Sequence, residues 1–550
     1  MDPSEPAPRR GRRVLLGLVI LFLGGSGLVY EYCLSTLATH LLGNSVEQFS
    51  LIIALMLFAM GLAGLAQRAI KDPQKLAPVF IWVEIGLAVV GGAAVVLLYL
   101  AFAHLTHFRL VLYGLAMLIG FGIGLEIPLL LRLNQRHRGL ADNVGDIFSL
   151  DYLGALAGAL VWAFLLLPVF PLDRIGLLLG LTNMGIAALS FWLFRHEIKG
   201  LRHRLPLFIG LPTATAALAL LAWQGPDMVV HARQYLFSQP VWLHRESPYQ
   251  DIVVTGNERR FALYLNGRLQ FDSEDEYIYH ELLVHPALMS LERPPERVLV
   301  LGGGDGLAVR EVRKWPSVKE ILLVDLDPAV TALAREWPPL VALTEGALSA
   351  PGVHIEHPAV TPGEQVPVEV AAQQTPLVLR EHTEVVAHVQ LVHLDADTFL
   401  QQATGRYDAI LADFPDPSGP DVAKLFSLEF YQQVHAHLRP GGVLAVQAGS
   451  PYTRRRAYWS VADTLEAAGF AVTSLHTHVP TFGQWGWHLA RAGRAPDPRG
   501  EPPVPTRYLD GTTLQGARHF PRPFGRPSEV AVSTRLDPAV MRLYMAQEPL

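Results

Sequence analysis

The sequence predicts two architectures in one chain: a multi-pass α-helical membrane domain over residues 1–225, then an α/β domain built on a parallel sheet. Three observations predict it. Seven long apolar runs crowd the first 225 residues, composition shifts to alternating and βα patterns beyond residue 240, and VLVLGGGDGLAVREV (298–312) reads as strand, glycine turn and helix. The chain has 550 residues, is 50% hydrophobic, and carries a formal net charge of −6 and a single cysteine, Cys33. That length exceeds one ordinary domain, and the charge offers no basic footprint for nucleic acid. One cysteine excludes an intrachain disulfide framework and any cysteine-based zinc site.

The apolar runs lie near 14–30, 50–67, 77–103, 110–131, 148–170, 175–194 and 206–223. Most reach the roughly 20 residues needed to cross the ~30 Å hydrocarbon core of a bilayer. The first lacks a small-residue cleavage site and is followed by further spans, so it reads as a retained helix and not as a secretory signal. The last contains two prolines and many small residues, and is the candidate for a re-entrant or interfacial segment. Basic residues gather in alternate connections, RRGRR, QRAIKDPQK, RLNQRHR and RHEIKGLRHR, which sets the amino terminus in the cytoplasm. Four acids, Glu31, Glu84, Glu126 and Asp151, sit within or at the edges of these runs. Charge at membrane depth is costly, so they mark a substrate or proton path, or else are packing groups paired with Arg132, Tyr30 or a backbone carbonyl.

The soluble part opens with YQDIVVTGNERRFALYLNGRLQFD, which alternates apolar and polar residues around Gly256-Asn257 and Asn266-Gly267. This predicts a small antiparallel β element within 240–290. SEDEYIYHELLVHPALMS follows as a helix capped by Ser273, with Glu276 three residues on. The glycine turn is not the dinucleotide fingerprint, because G-x-G-x-x-G from Gly302 needs glycine at 307, where Leu307 stands. Asp325 ends the next strand, EILLVDLDP, about 20 residues beyond the turn, where an acid accepts both hydroxyls of a ribose. LVHLDADTFL puts Asp395 and Ala396 after a further strand, and YDAILADFPDPSGP ends another at Asp413 and Asp416. Ligands bind at the carboxyl ends of parallel strands, so Asp305, Asp325, Asp395, Asp413 and Asp416 are expected to converge on one crevice that attracts a cation.

Taken together these motifs resemble the spermidine synthases, the polyamine aminopropyltransferases. The resemblance rests on GGGDG, Asp325, the Asp395-Ala396 pair, D-x-x-D-P-x-G-P at 413–420 with the following LF and FY, Gln250 in YQD, DEYIYHELLVHPAL and VPTFGQWGWHLA. It covers roughly residues 245–490. With the apolar spans in front, the whole looks like the membrane-attached bacterial branch, a multi-pass protein of the inner membrane. The resemblance implies a Rossmann-like (class I methyltransferase-like) catalytic domain over 291–495. It also implies that Gln250, Asp325, Asp395, Ala396 and Pro420 hold the nucleoside part of decarboxylated S-adenosylmethionine or of its product methylthioadenosine. His280, Asp305, Asp413 and Asp416 would hold the amine, putrescine or a related polyamine, with Asp413 taking its proton. Decarboxylated S-adenosylmethionine is a co-substrate, and neither a cofactor nor a metal is implied. The other expected partners are the lipid bilayer and a second copy of the chain in a homo-oligomer.

The chemistry of these residue types agrees with those roles. An alkylammonium is not nucleophilic, so a carboxylate must both attract the diamine and take its proton as the nitrogen attacks the carbon beside the sulfonium. Two cations repel one another, and a ring of carboxylates offsets that repulsion. Two other readings use the same residues. A class I methyltransferase shares the sheet and Asp325 but needs no second acid pair facing an amine. A polyamine sensor or transporter uses the membrane acids and keeps the synthase-like domain as a binding module.

Several residues depart from the family pattern. Phe414-Pro415 within D-x-x-D is expected to narrow or dry the acceptor pocket, Asn266 stands where LDG is usual, and Phe482 where tyrosine is common. An extra segment over 350–389 carries His354, His357, His382 and His388, whose loose spacing suits a polar surface insertion better than a metal site. The tail over 496–550, rich in Pro, Arg and Gly, is expected to be irregular or partly disordered. Seven crossings from a cytoplasmic start put the catalytic domain outside, whereas decarboxylated S-adenosylmethionine is made inside cells. On the chemistry, the domain is expected in the cytoplasm.

Overall fold

The computed structural model of this chain describes residues 10–42, 45–134, 140–198, 200–349, 353–356, 387–528 and 530–546. It forms two compact units, 1–241 and 242–550.

The first unit is helical: α1 (Arg10–Leu42), α2 (Ser45–Ala66), α3 (Leu76–His104), α4 (Phe108–Asn134), α5 (Leu140–Val161), α6 (Leu167–Val169), α7 (Leu172–Phe194) and α8 (Leu201–Gln234). A π turn, Trp162–Leu166, joins α5 to α6. Among the described residues, seven helical segments are long and apolar enough to cross a membrane. Their outer faces are apolar: Leu110, Phe164 and Trp223 are 71, 79 and 75% exposed. Small residues let the backbones meet on the inside. A Cβ at Gly154 would stand 2.0 Å from the Leu21 carbonyl oxygen, and one at Gly158 would stand 2.6 Å from that of Gly25, so α1 and α5 pack at a distance only glycine permits.

The last apolar run is longer than its sequence suggests. α8 is one unbroken helix of 34 residues that contains Pro206, Pro212 and Pro226. Each proline removes one backbone hydrogen bond, which bends a helix that its neighbours hold in place without ending it. α8 packs along α3 and α7.

The second unit opens with a four-stranded sheet of β1 (Val241–Glu246), β2 (Asp251–Gly256), β3 (Phe261–Leu265) and β4 (Arg268–Asp272), in that order. Asn266 and Gly267 have φ of 50° and 72°, the left-handed pair that a two-residue hairpin turn between twisted strands needs. The Asn266 side chain accepts from the Asp251 N–H at 2.9 Å, so its departure from the family pattern is absorbed within the turn. α9 (Glu276–Met289) follows, and its start differs from the expected capping box. The Ser273 hydroxyl accepts from the Phe261 N–H instead, and the Glu276 carboxylate turns inward to the buried guanidinium of Arg310. A buried cation outcompetes a solvent-exposed cap for a carboxylate.

The main sheet contains β5 (Arg297–Gly302), β6 (Glu320–Asp325), β7 (Val353–Glu356), β8 (His388–His393), β9 (Tyr407–Asp413), β10 (Leu438–Gly449), β11 (Phe470–Val479) and β12 (Gly483–Ala492). Its order is β11-β12-β10-β9-β5-β6-β8-β7, parallel from β10 to β7, with β12 antiparallel to both β10 and β11. Around it lie α10 (Leu307–Arg313), α11 (Pro328–Glu336), α12 (Pro338–Leu343), α13 (Ala396–Gln402), α14 (Pro420–Ala423), α15 (Leu428–His437), α16 (Arg455–Ala467), α17 (Gly511–Ala517) and α18 (Ala539–Met545). Val298 and Val300 of β5 enter one core with α9 and α10, while Leu299 and Leu301 enter the other with α13, α15 and α16. Both faces are covered, which is why β5 is apolar without alternation. The chain runs outward from β5 through β6 and β8, then returns to β9 on the other side. Such a reversal opens a crevice at the carboxyl ends of the two central strands.

Of the inserted histidines, His354 lies in the edge strand β7 and His388 opens β8, whereas His357 and His382 fall outside the described residues. The tail is irregular and packed. The Glu281 carboxylate accepts from the N–H groups of Arg507, Tyr508 and Leu509, and two helices, α17 and α18, form within it.

Candidate active site

The crevice is built on backbone that only glycine tolerates. Gly302 and Gly303 have φ of 77° and 69°, and a Cβ at Gly302 would stand 2.2 Å from the Asp413 carbonyl oxygen. One residue on, the Gly304 N–H donates to Asp325 Oδ2 at 2.9 Å, while the Asp327 N–H donates to Asp325 Oδ1 at 2.9 Å. Each Asp325 oxygen can accept a further hydrogen bond. Burial pushes the Asp325 carboxyl up to about 6, against the lowering effect of those two N–H donors.

Gln250 reaches this side through Asp327. The Asp327 carboxylate caps α11 through the Ala329 N–H, and its Oδ2 accepts from Ser247 Oγ at 2.7 Å and Gln250 Nε2 at 2.8 Å. The sequence reading passed over Asp327. The signal was present in D-x-D-P, where an acid before proline is a helix cap. Asp395 lies two residues past the end of β8, whose His393 pairs with Asp325. It caps α13 through the Thr398 N–H at 3.0 Å and pairs with Lys424 Nζ at 2.9 Å, with Ala396 buried behind it and Pro420 opening α14. Of the five acids expected at the strand ends, Asp395 is the one held by a helix terminus and a lysine.

The other half of the crevice is carried by α9. Tyr279 donates its hydroxyl to Asp413 Oδ1 at 2.6 Å, and His280 Nε2 stands 4.0 Å from Asp413 Oδ2. His280 Nδ1 faces the Glu276 carbonyl at 2.8 Å and Glu276 Oε2 at 3.0 Å. Burial opposes a charged ring, but Glu276, Asp305 and Asp413 outweigh it and raise His280 to about 9. Asp305 is raised to about 6, chiefly by burial, with His280 opposing and Asp413 adding to the rise. Burial also raises Asp413, opposed by His280 and by the Tyr279 hydroxyl. A charged His280 therefore neutralises part of this acid cluster from within.

His280 is anchored by a buried chain of charges. Arg310 donates in fork fashion to Glu276 at 2.8 and 2.9 Å and through Nε to Glu311 at 2.9 Å. Glu311 in turn meets His285 at 2.8 Å and Lys314 at 2.7 Å. The partners hold Glu311 down to about 2 although burial works against it. Replacing Arg310 with methionine should destabilise the catalytic unit by about 3–5 kcal/mol, because Glu276 would stay buried without its bidentate partner and Glu311 would lose one of its cations. Thermal denaturation followed by near-ultraviolet dichroism reads the loss.

Asp416 is completed from the tail. Its Oδ2 accepts from the Tyr544 hydroxyl at 2.6 Å, and the Arg454 guanidinium covers the Tyr544 ring at 5.4 Å. Among the described residues, Asp416 Oδ1 is buried without a hydrogen-bond partner. No motif pointed to Tyr544, which lies far along the chain in a segment that carried no pattern. The Phe414 ring packs against Phe426 at 6.3 Å and Phe430 at 5.8 Å in the core beneath the sheet and so supports the strand end, with its edge beside Gly302. Burying a phenyl group there gains more than exposing it to a polar crevice. Phe482 stacks near Tyr279 at 6.2 Å and Trp485 at 4.9 Å.

This arrangement can be set beside known proteins. Residues 276–352 and 379–498 match the Spermine/spermidine synthase domain. Polyamine aminopropyltransferase 1 of Streptomyces coelicolor is 40% identical over 98% of this chain and 96% of its own length. The chain belongs to the polyamine aminopropyltransferases. Another relative, polyamine aminopropyltransferase 1 of Ralstonia nicotianae, is 39% identical over 96% of this chain and 95% of its own, and that of Mycobacterium tuberculosis is 38% identical over 98 and 97%. A solved spermidine synthase from Thermotoga maritima aligns with 51% of this chain and 84% of its own at 22% identity, with a TM-score of 0.40. The domain match is interrupted over 353–378, inside the segment read as an insertion. As an aminopropyltransferase, this chain is a transferase whose domain match contains His280, Asp305, Asp325, Asp395, Asp413 and Asp416, while Gln250 and Tyr544 lie outside it.

Proposed function

We propose that this aminopropyltransferase moves the aminopropyl group of decarboxylated S-adenosylmethionine to putrescine, giving spermidine and methylthioadenosine. The observation that carries the reading is the Asp413 carboxylate, held by Tyr279 and His280 beside the glycine turn that supports Asp325. In this reading Asp325, Gln250 acting through Asp327, and Asp395 with Ala396 and Pro420 hold the nucleoside. Asp305, Asp413 and Asp416 draw in the two ammonium groups. Asp413 takes a proton from the nearer one, the freed nitrogen lone pair attacks the carbon beside the sulfonium, and the carbon–sulfur bond breaks to release neutral methylthioadenosine. His280 serves as a resident cation that keeps Asp413 ionised before the amine arrives, and so acts through the carboxylate. The residues need no metal for these steps.

Purified full-length protein in detergent, given putrescine and decarboxylated S-adenosylmethionine, should release spermidine and methylthioadenosine in equal amounts. Absence of an aminopropyl product with putrescine, cadaverine or spermidine as acceptor would overturn the reading. Tyr544→Phe should raise the KM for the amine several-fold while kcat holds. The Tyr544 hydroxyl lowers the buried Asp416, so its loss leaves less carboxylate, and the KM penalty should grow as pH falls.

The first unit is proposed to lie in the bacterial inner membrane, with the catalytic unit on the cytoplasmic side where its nucleoside substrate is made. This requires that one of the seven helices does not cross. A reporter fused after residue 240 reads the side directly, and a cytoplasmic signal is expected.

A further inference from the structure

The helical unit contains a polar cluster that aminopropyl transfer does not use. Glu84 on α3 and Glu126 on α4 are 0 and 2% exposed, and their carboxyl groups lie within hydrogen-bond reach of one another. Asn183 on α7, 0% exposed, donates its Nδ2 to Glu84 Oε2 at 3.2 Å. Among the described residues, three acceptor atoms then remain buried without a partner: Glu84 Oε1, Glu126 Oε1 and Asn183 Oδ1. All three are oxygens that need a donor, and none of the described salt bridges brings a cation to them. The Arg132 guanidinium, six residues along α4 from Glu126, is taken by the carbonyls of Gln67 and Ile70 and by the Gln67 side chain. The Tyr30 hydroxyl, facing the pair from α1, donates to the Leu87 carbonyl at 3.2 Å.

We propose that Glu84, Glu126 and Asn183 form a proton-binding site in the helical unit, in which one exchangeable proton is shared between the two carboxyl groups. Two carboxylates this close in an apolar interior cannot both be ionised, and a single proton supplies the donor that the cluster lacks. The burial of both groups, 0 and 2% exposed, suits a proton, the smallest cation. The titratable groups facing the pair are Tyr30 from α1 and Asp151 from α5, with Cys33 next to Tyr30. Asp151 is half-buried, and so gives Glu126 a neighbour through which the proton reaches the edge of the bundle. Pro128, two residues beyond Glu126, deprives the Gly124 carbonyl of its helical partner and makes this turn of α4 the easiest to bend. The proton binds Glu84 or Glu126 oxygen and leaves by the same route, so no other reactant is required.

The test is infrared difference spectroscopy of the full-length protein in lipid nanodiscs, titrated with acid and base in water and in heavy water. A protonated-carboxyl carbonyl band should be present at neutral pH, shift in heavy water, and disappear in Glu84→Gln with Glu126→Gln. Asn183→Ala keeps both acids and should shift the band without abolishing it, which guards against misfolding in the double variant. Aminopropyl transfer should be unchanged in each of these variants. A band that is missing in the native protein, that survives the double substitution, or that neither titrates nor exchanges would overturn the proposal.

Discussion

Asp413→Asn should lower kcat roughly 10²- to 10⁴-fold, the range for a lost general base. The substitution keeps the shape of the side chain, and its amide oxygen still accepts the Tyr279 hydroxyl that reaches Asp413 Oδ1 at 2.6 Å. What goes is the negative charge and the basicity. His280 loses one of the three acids that raise it, so it too should titrate below its native value of about 9. Methylthioadenosine binding should hardly change, since that half of the ligand is assigned to Gln250, Asp325 and Asp395. Raising the pH should partly restore the rate, because an alkylammonium titrates near about 10.4, as lysine does, and more of the amine is then neutral without help. Calorimetric titration with methylthioadenosine, alongside a pH series of initial rates, separates the two effects. Equal loss of nucleoside affinity with no rescue at high pH would mean that Asp413 belongs to the nucleoside half.

Asp325→Asn should act on the opposite half. Losing a charge-assisted hydrogen bond of about 1.5–3 kcal/mol corresponds to roughly 10- to 150-fold weaker methylthioadenosine binding. The native carboxylate accepts the N–H groups of Gly304 and Asp327 on separate oxygens, and an asparagine amide offers a donor where one of those donors already points. The glycine turn should therefore loosen as well, and no rise in pH should rescue it. The native protein carries its own pH signature here. Because burial raises Asp325 to about 6, the group is ionised above that pH and protonated below it. Nucleoside affinity should fall as pH drops through that value, and the variant should lose this dependence. Asp305 titrates in the same range, so the measurement uses methylthioadenosine without amine.

Much of the crevice was legible because strand ends are legible. An apolar run followed by an acid or glycines marks where a parallel strand stops, and Gly302, Asp325 and Asp413 are the final residues of β5, β6 and β9. Turn chemistry was legible for the same local reason: Asn266-Gly267 needs positive φ at both positions, and few other pairs accept it. Side-chain destinations were less so. Ser273 and Glu276 looked like a capping box, yet one accepts from Phe261 and the other turned to Arg310. Local spacing states which residues are near in the chain. It does not say which buried partner will bid for a carboxylate or a ring.

By itself, then, the sequence determined the long apolar helices, the parallel strands with their acidic ends, and the family-specific motifs, because each is written in residues close along the chain. Only the tertiary structure decided which acids meet. It paired Asp395 with Lys424, set Tyr279 and His280 against Asp413, and brought Tyr544 across 128 positions to Asp416. In the helical unit it joined Glu84, Glu126 and Asn183 from three different helices. The physical reason is common to all three cases: a buried charge or polar atom must find a partner, and that partner is chosen by the packing of distant segments.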